Sequence, residues 1–279
     1  MNRRQLKSQA KGLIKTAKPK PVYVTLVYVA ILIAFAVLSF KLVGQPINEF
    51  FDKQFKDVFH VEFDNGADYN EEFDKYIDDF DPEQFFYAWE DAMPSPAARL
   101  LNTLLTVMGW VVAAGFTIFA LHTIAGSGAS VWNLFDGFGM FFRIIWLYIL
   151  EGIFIFLWAL LFVIPGFIAF YRYRMAIYLL LEHPEMSAME CINESKKLMK
   201  GHKWELFVLD LSFIGWAILV VVINEIGARL GIAVLSVVGL GYLVYIYLLP
   251  FRELTCALYY KQLTAVPDAE ADYSWTPEL

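Results

Sequence analysis

Residues 141–163 read FFRIIWLYILEGIFIFLWALLFV, and only Arg143 and Glu151 interrupt the apolar run. Crossing roughly 30 Å of hydrocarbon takes about 20 apolar residues in a helix. Within lipid the backbone must satisfy its own polar groups, which a helix does. The stretch therefore predicts a transmembrane helix and supplies a ruler for the rest of the chain. Five further segments meet it: 21–43, 99–123, 166–182, 205–224 and 231–250. The segment 166–182 is the shortest and carries Arg172 and Arg174. The expected fold class is all-α, a polytopic helical membrane bundle of about six transmembrane helices with a small helical extracytoplasmic insert.

Composition agrees with a lipid solvent. Hydrophobic residues make up 58% of the 279 and charged residues only 18%, too apolar a balance for a soluble domain of this length. Charge is also unevenly placed. Residues 44–98 hold 15 Asp and Glu against 3 Lys, and the remainder carries 19 basic against 14 acidic residues. By the positive-inside rule, the Lys-rich segment 1–20 and the run Lys196, Lys197, Lys200 and Lys203 are expected in the cytoplasm, and the acidic insert outside. Six spans make these assignments consistent with both termini inside. Residues 124–140 and 183–204 then become cytoplasmic segments between helices 2–6 of the stretch 99–250, and 251–279 a cytoplasmic C-terminal segment. Pro165-Gly166 and the connection 224–230 read as short outer turns. The run from Pro21 to Val43 is longer than a signal-peptide core and reads as a retained anchor.

The N-terminal segment is amphipathic. Leu6, Ala10, Leu13 and Ile14 share one helical face with Lys7, Lys11 and Lys15 opposite, which suits a helix lying in the headgroup region. Weaker patterns of the same kind occur at 127–139 and 187–200. The insert is dense in aromatics, which a disordered acidic tail lacks. Phe51, Phe55 and Phe59 are spaced by four, Phe73, Ile77 and Phe80 follow helical spacing, and Trp89 closes the series. Two or three short amphipathic helices with an aromatic face are predicted, with a turn at Asn65-Gly66.

Ionisable groups within apolar segments are costly and single themselves out as candidates. They are Glu151, Arg172, Arg174 and Asp210. At 1.5 Å per residue, Glu151 lies roughly 20 Å and Arg174 roughly 13 Å below the Pro165 turn. Asp210, entering from the other side, lies near the level of Glu151. A charged cluster of Glu151, Arg174 and Asp210 is expected; it reads either as an ion pair fixing helix register or as a substrate or proton path. The Lys196 to Lys203 run obeys the topology rule and also suits contact with anionic lipid.

No phosphate-binding loop, dinucleotide glycine pattern, serine elbow or zinc-protease helix occurs, so the chain reads as a non-enzyme without a cofactor. His122 and His183 have no ligand partner at metal spacing, and Asp64-Asn65-Gly66-Ala67-Asp68 lacks the alternating ligands of a calcium loop. The acidic run Asp78, Asp79, Asp81 and Glu83 reads as a solvated face. Cys191 and Cys256 are two cysteines on segments placed near the cytoplasm, a setting without disulfides. Nucleic acid is excluded as a partner by the absence of an interleaved basic and aromatic module. The expected partners are the lipid bilayer and a protein on the extracytoplasmic side.

The stretch from Glu194 to Trp204 (ESKKLMKGHKW), continuing through Leu209-Asp210-Leu211-Ser212-Phe213-Ile214-Gly215-Trp216, resembles the signature of the bacterial membrane family called domain of unknown function 975. Ile164 to Ala169, Tyr171-Arg172-Tyr173 and Leu134 to Phe138 agree with it. The resemblance covers residues 1–43 and 99–263, with the insert most variable. The chain is also similar to the membrane region attached to some glycerophosphodiester phosphodiesterases, whose hydrolase domain is absent. The resemblance implies a multi-pass protein of the bacterial inner membrane and brings no activity with it. The function expected on these grounds is a scaffold, accessory subunit or immunity-type factor meeting a partner through the acidic insert. The alternative is a transporter or lipid-handling protein using the charged cluster.

Overall fold

The computed structural model describes residues 3–59, 81–229 and 240–265, and every element among them is helical. In chain order they are α1 (Arg3–Thr16), α2 (Pro21–Ser39), a π-helical turn (Phe40–Gly44), α3 (Gln45–Phe59), α4 (Pro82–Ala92) and α5 (Pro96–Ala125). The one-turn α6 (Asn133–Asp136) and a 3-10 turn (Gly137–Met140) lead into α7 (Phe141–Leu161), α8 (Val163–Tyr173) and α9 (Ala176–Glu182). The last three are α10 (Ala188–Leu198), α11 (Lys203–Arg229) and α12 (Leu240–Ala265). Among the described residues, three stretches are long and apolar enough to cross a membrane: Pro21–Lys53, Pro96–Ala125 and Asn133–Leu161. The chain divides into two compact units, residues 31–109 and residues 1–30 with 110–279.

In the smaller unit, the π turn carries α2 onward into α3. Asp81 caps α4, its carboxylate accepting from the backbone N–H of Glu83 (2.9 Å) and Gln84 (3.3 Å), and Pro82 fills the first helical position, where no N–H is needed. Ser95 caps α5 in the same manner, accepting from Ala98 N–H. Along α5, the Asn102 side chain meets the Ser39 hydroxyl.

The larger unit holds the core. From Val111 to Thr123, α5 is buried almost all round. It approaches the α6 turn closely, since a Cβ on Gly115 would collide with the Leu134 carbonyl and one on Gly137 would lie 2.6 Å from the Val111 carbonyl oxygen. Two glycines thus let backbone pack on backbone. Leu6, Ala10 and Ile14 of α1 are buried, and α1 packs on α12. The amphipathic face expected to lie in headgroups is covered by protein instead; an apolar stripe at helical spacing suits either environment.

The hairpin of α7 and α8 reverses at Phe162, in extended conformation, rather than at Pro165-Gly166. Pro165 sits in the first turn of α8, where its missing N–H costs nothing, and Gly166 packs against Ala159. The expected helix 166–182 is two helices, broken at Arg174-Met175. Buried Ser195 of α10 holds the break: its hydroxyl donates to the Arg172 carbonyl (2.9 Å) and accepts from Met175 N–H (3.2 Å). Ser187 and Glu190 form a reciprocal cap at the start of α10.

Toward the C-terminus, α11 continues to Arg229, so residues 224–229 are helix rather than turn. Residues 231–239 of the expected span 231–250 lie outside the described residues. Pro250 sits inside α12, which runs on to Ala265 and buries Leu254, Cys256, Ala257, Tyr259, Tyr260 and Leu263. The segment beyond residue 250 is therefore core helix up to Ala265.

Candidate functional site: a charged cluster at a helix break

Arg174 occupies the junction of α8 and α9, its guanidinium 5.5 Å from the Phe170 ring centroid. Glu253 of α12 accepts from the Thr117 hydroxyl of α5 (2.8 Å) and from the Tyr178 hydroxyl of α9 (3.0 Å). Arg174 lies within electrostatic reach of Glu253, Asp210 and Glu151. Asp210 of α11 pairs with Arg252 of α12 at 3.5 Å, and its charge acts on Tyr171 of α8. Six helices thus supply groups to one partly dehydrated network, in which Arg174 lies within electrostatic reach of Glu151 and Asp210. Removing one member of such a half-buried network leaves an uncompensated charge, at a cost below the roughly 3–5 kcal/mol of a fully buried pair.

Arg252 and Glu253 were not legible as members, because Pro250 reads as the end of a span. The signal lay beyond it: Leu254, Ala257, Leu258 and Leu263 continue the helical period. Arg172 is not part of the network. Its carbonyl takes the Ser195 hydroxyl, and its guanidinium is the neighbouring cation to Lys196 on α10.

The basic run does not share one face. The Lys196 ammonium lies over the Phe154 and Tyr173 rings, at 5.6 and 5.7 Å from their centroids. Lys197 is exposed and pairs with Glu194 at 2.7 Å, Lys200 is exposed and Lys203 half-buried. Burial, with Arg172 beside it, holds the Lys196 ammonium below the usual lysine range. On the same helix, burial pushes the Cys191 thiol up to about 11, leaving it a poor nucleophile at neutral pH.

The second candidate lies in the unit 31–109. Phe50 is the buried centre of an aromatic packing between α3 and α4, with ring centroids 5.4 Å from Phe85 and 5.2 Å from Trp89, all edge to face. Phe51 is exposed at its margin, 6.0 Å from Trp89. The expected aromatic face is thus centred one residue earlier, on Phe50. Phe55 and Phe59 lie on α3, but their side chains fall outside the described residues. Phe73, Phe80, the Asn65-Gly66 turn, the Asp64–Asp68 run, Asp78 and Asp79 lie outside them entirely. Away from that packing on α4, Tyr87 is 72% exposed and Phe86, edge-on to Phe85 at 6.0 Å, is 66% exposed, with Glu83 and Glu90 exposed one turn to either side. Among the described residues no group of three metal-ligating side chains occurs.

No curated protein and no solved structure matches the chain. A protein-family model described as "Protein of unknown function (DUF975)" matches residues 1–266, bounds that enclose the acidic insert. With nearly its whole length matched, and with the signature serine holding the break beside the charged network, the chain belongs to the domain-of-unknown-function 975 family.

Proposed function

We propose that this is a non-enzymatic six-span scaffold of the cell membrane, with both termini in the cytoplasm, that meets a protein partner outside through its acidic insert. One observation carries the reading: α4 uses one aromatic face to pack on α3 and leaves another, Phe86 and Tyr87 between Glu83 and Glu90, open. Large exposed aromatics flanked by charge are the usual composition of an interface anchor. The acidic flanks fit a partner with a basic rim.

Replacing residues 44–98 with a short linker should leave membrane insertion intact and abolish a photo-crosslink formed from position 87. Retention of the same adducts from a neighbouring position after the replacement would sink the idea. The topology has its own test. A cysteine at Glu90 should react with an impermeant maleimide on intact cells, and one at Lys197 only after permeabilisation.

A second reading, a transporter or lipid-handling protein, is favoured by the position of Arg174. Charged groups on broken helices recur at transport sites, and Arg174 sits at such a break within reach of Glu151, Asp210 and Glu253. Glu151→Gln with Asp210→Asn should then change transport or lipid binding more than thermal stability. A loss confined to stability favours the register role.

A further inference from the structure

We infer that Arg172 and Lys196 form a site for the phosphate group of an anionic phospholipid, with its acyl chains along the exposed face of α8. This goes beyond the proposed scaffold role and does not depend on it.

The two cations are built into place rather than scattered on a surface. The Ser195 hydroxyl bonds the Arg172 carbonyl, which fixes the residue next to Lys196 against α8. The Lys196 ammonium is held over Phe154 and Tyr173, whose ring centroids are 6.1 Å apart. It donates to the neutral Asn193 side-chain oxygen at 2.9 Å. Among the described residues neither Arg172 nor Lys196 has an ion pair with a carboxylate. The nearest acid on α10, Glu194, is engaged by Lys197. Two half-buried like charges side by side are unfavourable, and a bound anion relieves the repulsion. The guanidinium supplies a planar fork and the ammonium a point charge, a combination suited to a phosphate.

The setting selects the anion. Ile168 and Ile164 precede Arg172 by one and two turns, so they share its side of α8, and both are exposed, at 48% and 73%. An apolar stripe ending in a pair of cations matches a lipid, chain and headgroup together. A free phosphate would use the cations and leave the stripe uncovered.

The test uses the full chain in phosphatidylcholine vesicles with and without phosphatidylglycerol, reading the lipid that co-purifies. Wild type should retain phosphatidylglycerol preferentially. K196Q, at a half-exposed position, should lose the preference about fivefold and R172Q/K196Q roughly thirtyfold, as expected for one and two interfacial cations. K200Q/K203Q removes the same charge elsewhere and should change the preference less than K196Q alone does. The proposal is overturned if K196Q retains the lipid as wild type does, or if K200Q/K203Q loses it equally, since either result means a diffuse basic surface. Excess inorganic phosphate should not displace the lipid; displacement would overturn the assignment to a lipid. Should the double variant fail to assemble, K196Q still decides.

Discussion

Two strongly apolar stretches of the larger unit meet different surroundings. Between Val111 and Thr123, α5 is enclosed by protein on nearly every side. Along α7, Phe142, Trp146, Ile149, Ile153, Phe156 and Leu160 recur every three or four residues, and all are exposed, from 41% to 83%. A soluble protein would not leave such a continuous stripe to water. Hydropathy alone cannot separate the two helices, because lipid and protein interior satisfy an apolar side chain alike. Small residues can: α5 carries Ala113, Ala114 and Gly115 where another backbone approaches. The exposed side of α7 carries large ones.

That contrast can be broken from either side. Gly115→Val should be the most damaging change, because the new side chain meets the Leu134 carbonyl; a loss of about 3 kcal/mol or more is expected, at the upper end of overpacking. The measurement is thermal unfolding in detergent, and an unchanged transition would mean that α6 does not rest on α5. Ile153→Asp on the exposed stripe should reduce membrane insertion by roughly 2.5–3.5 kcal/mol. Ile153→Ala should change unfolding by under about 1 kcal/mol, where a core isoleucine would cost roughly 2–5 kcal/mol. Ser195→Ala removes both hydrogen bonds at the α8–α9 break and should cost roughly 1–3 kcal/mol. It should also shift the environment of Arg174, readable as altered quenching of a probe on α9.

The smallest effect lies at the start of α10. Ser187→Ala should cost about 1 kcal/mol at neutral pH. Hydrogen bonds from the Ser187 backbone N–H and side chain hold the Glu190 carboxyl below its usual value of 4.5. Its contribution is therefore fully present above pH 4.5 and is lost as pH falls through the depressed folded value. The Ser187 backbone N–H remains in Ser187→Ala, so it is the gap between wild type and Glu190→Ala that should narrow in acid, measured by unfolding across pH 3–6.

Much of this contrast is written in local sequence, and the remainder depends on tertiary partners. The apolar runs of α2, α5 and α7 are legible because length and hydropathy suffice to read them. The break at Arg174 is not, since no proline or glycine marks it and Ser195, 20 residues beyond Met175, holds it. The reversal at Phe162 escapes for a related reason: Pro165 and Gly166 look like a turn but serve the first turn and the packing of α8. Pro250 misleads in the same direction, being accommodated inside α12. The charged cluster was half legible. Half-buried Glu151, Arg174 and Asp210 stand out in apolar runs, and Arg252 and Glu253 are hidden by the proline before them.

The central claim is that α7 turns its large residues to lipid and α5 turns its own to protein. Single cysteines in a Cys191→Ser, Cys256→Ser background, labelled with a fluorophore, can be tested in vesicles of lipids brominated on their acyl chains. Quenching should rise and fall with a period of three to four residues from 146 to 160, peaking at 149, 153 and 156, and stay low from 113 to 121. Uniformly low quenching on α7, with ready labelling there by a water-soluble maleimide, would contradict the account.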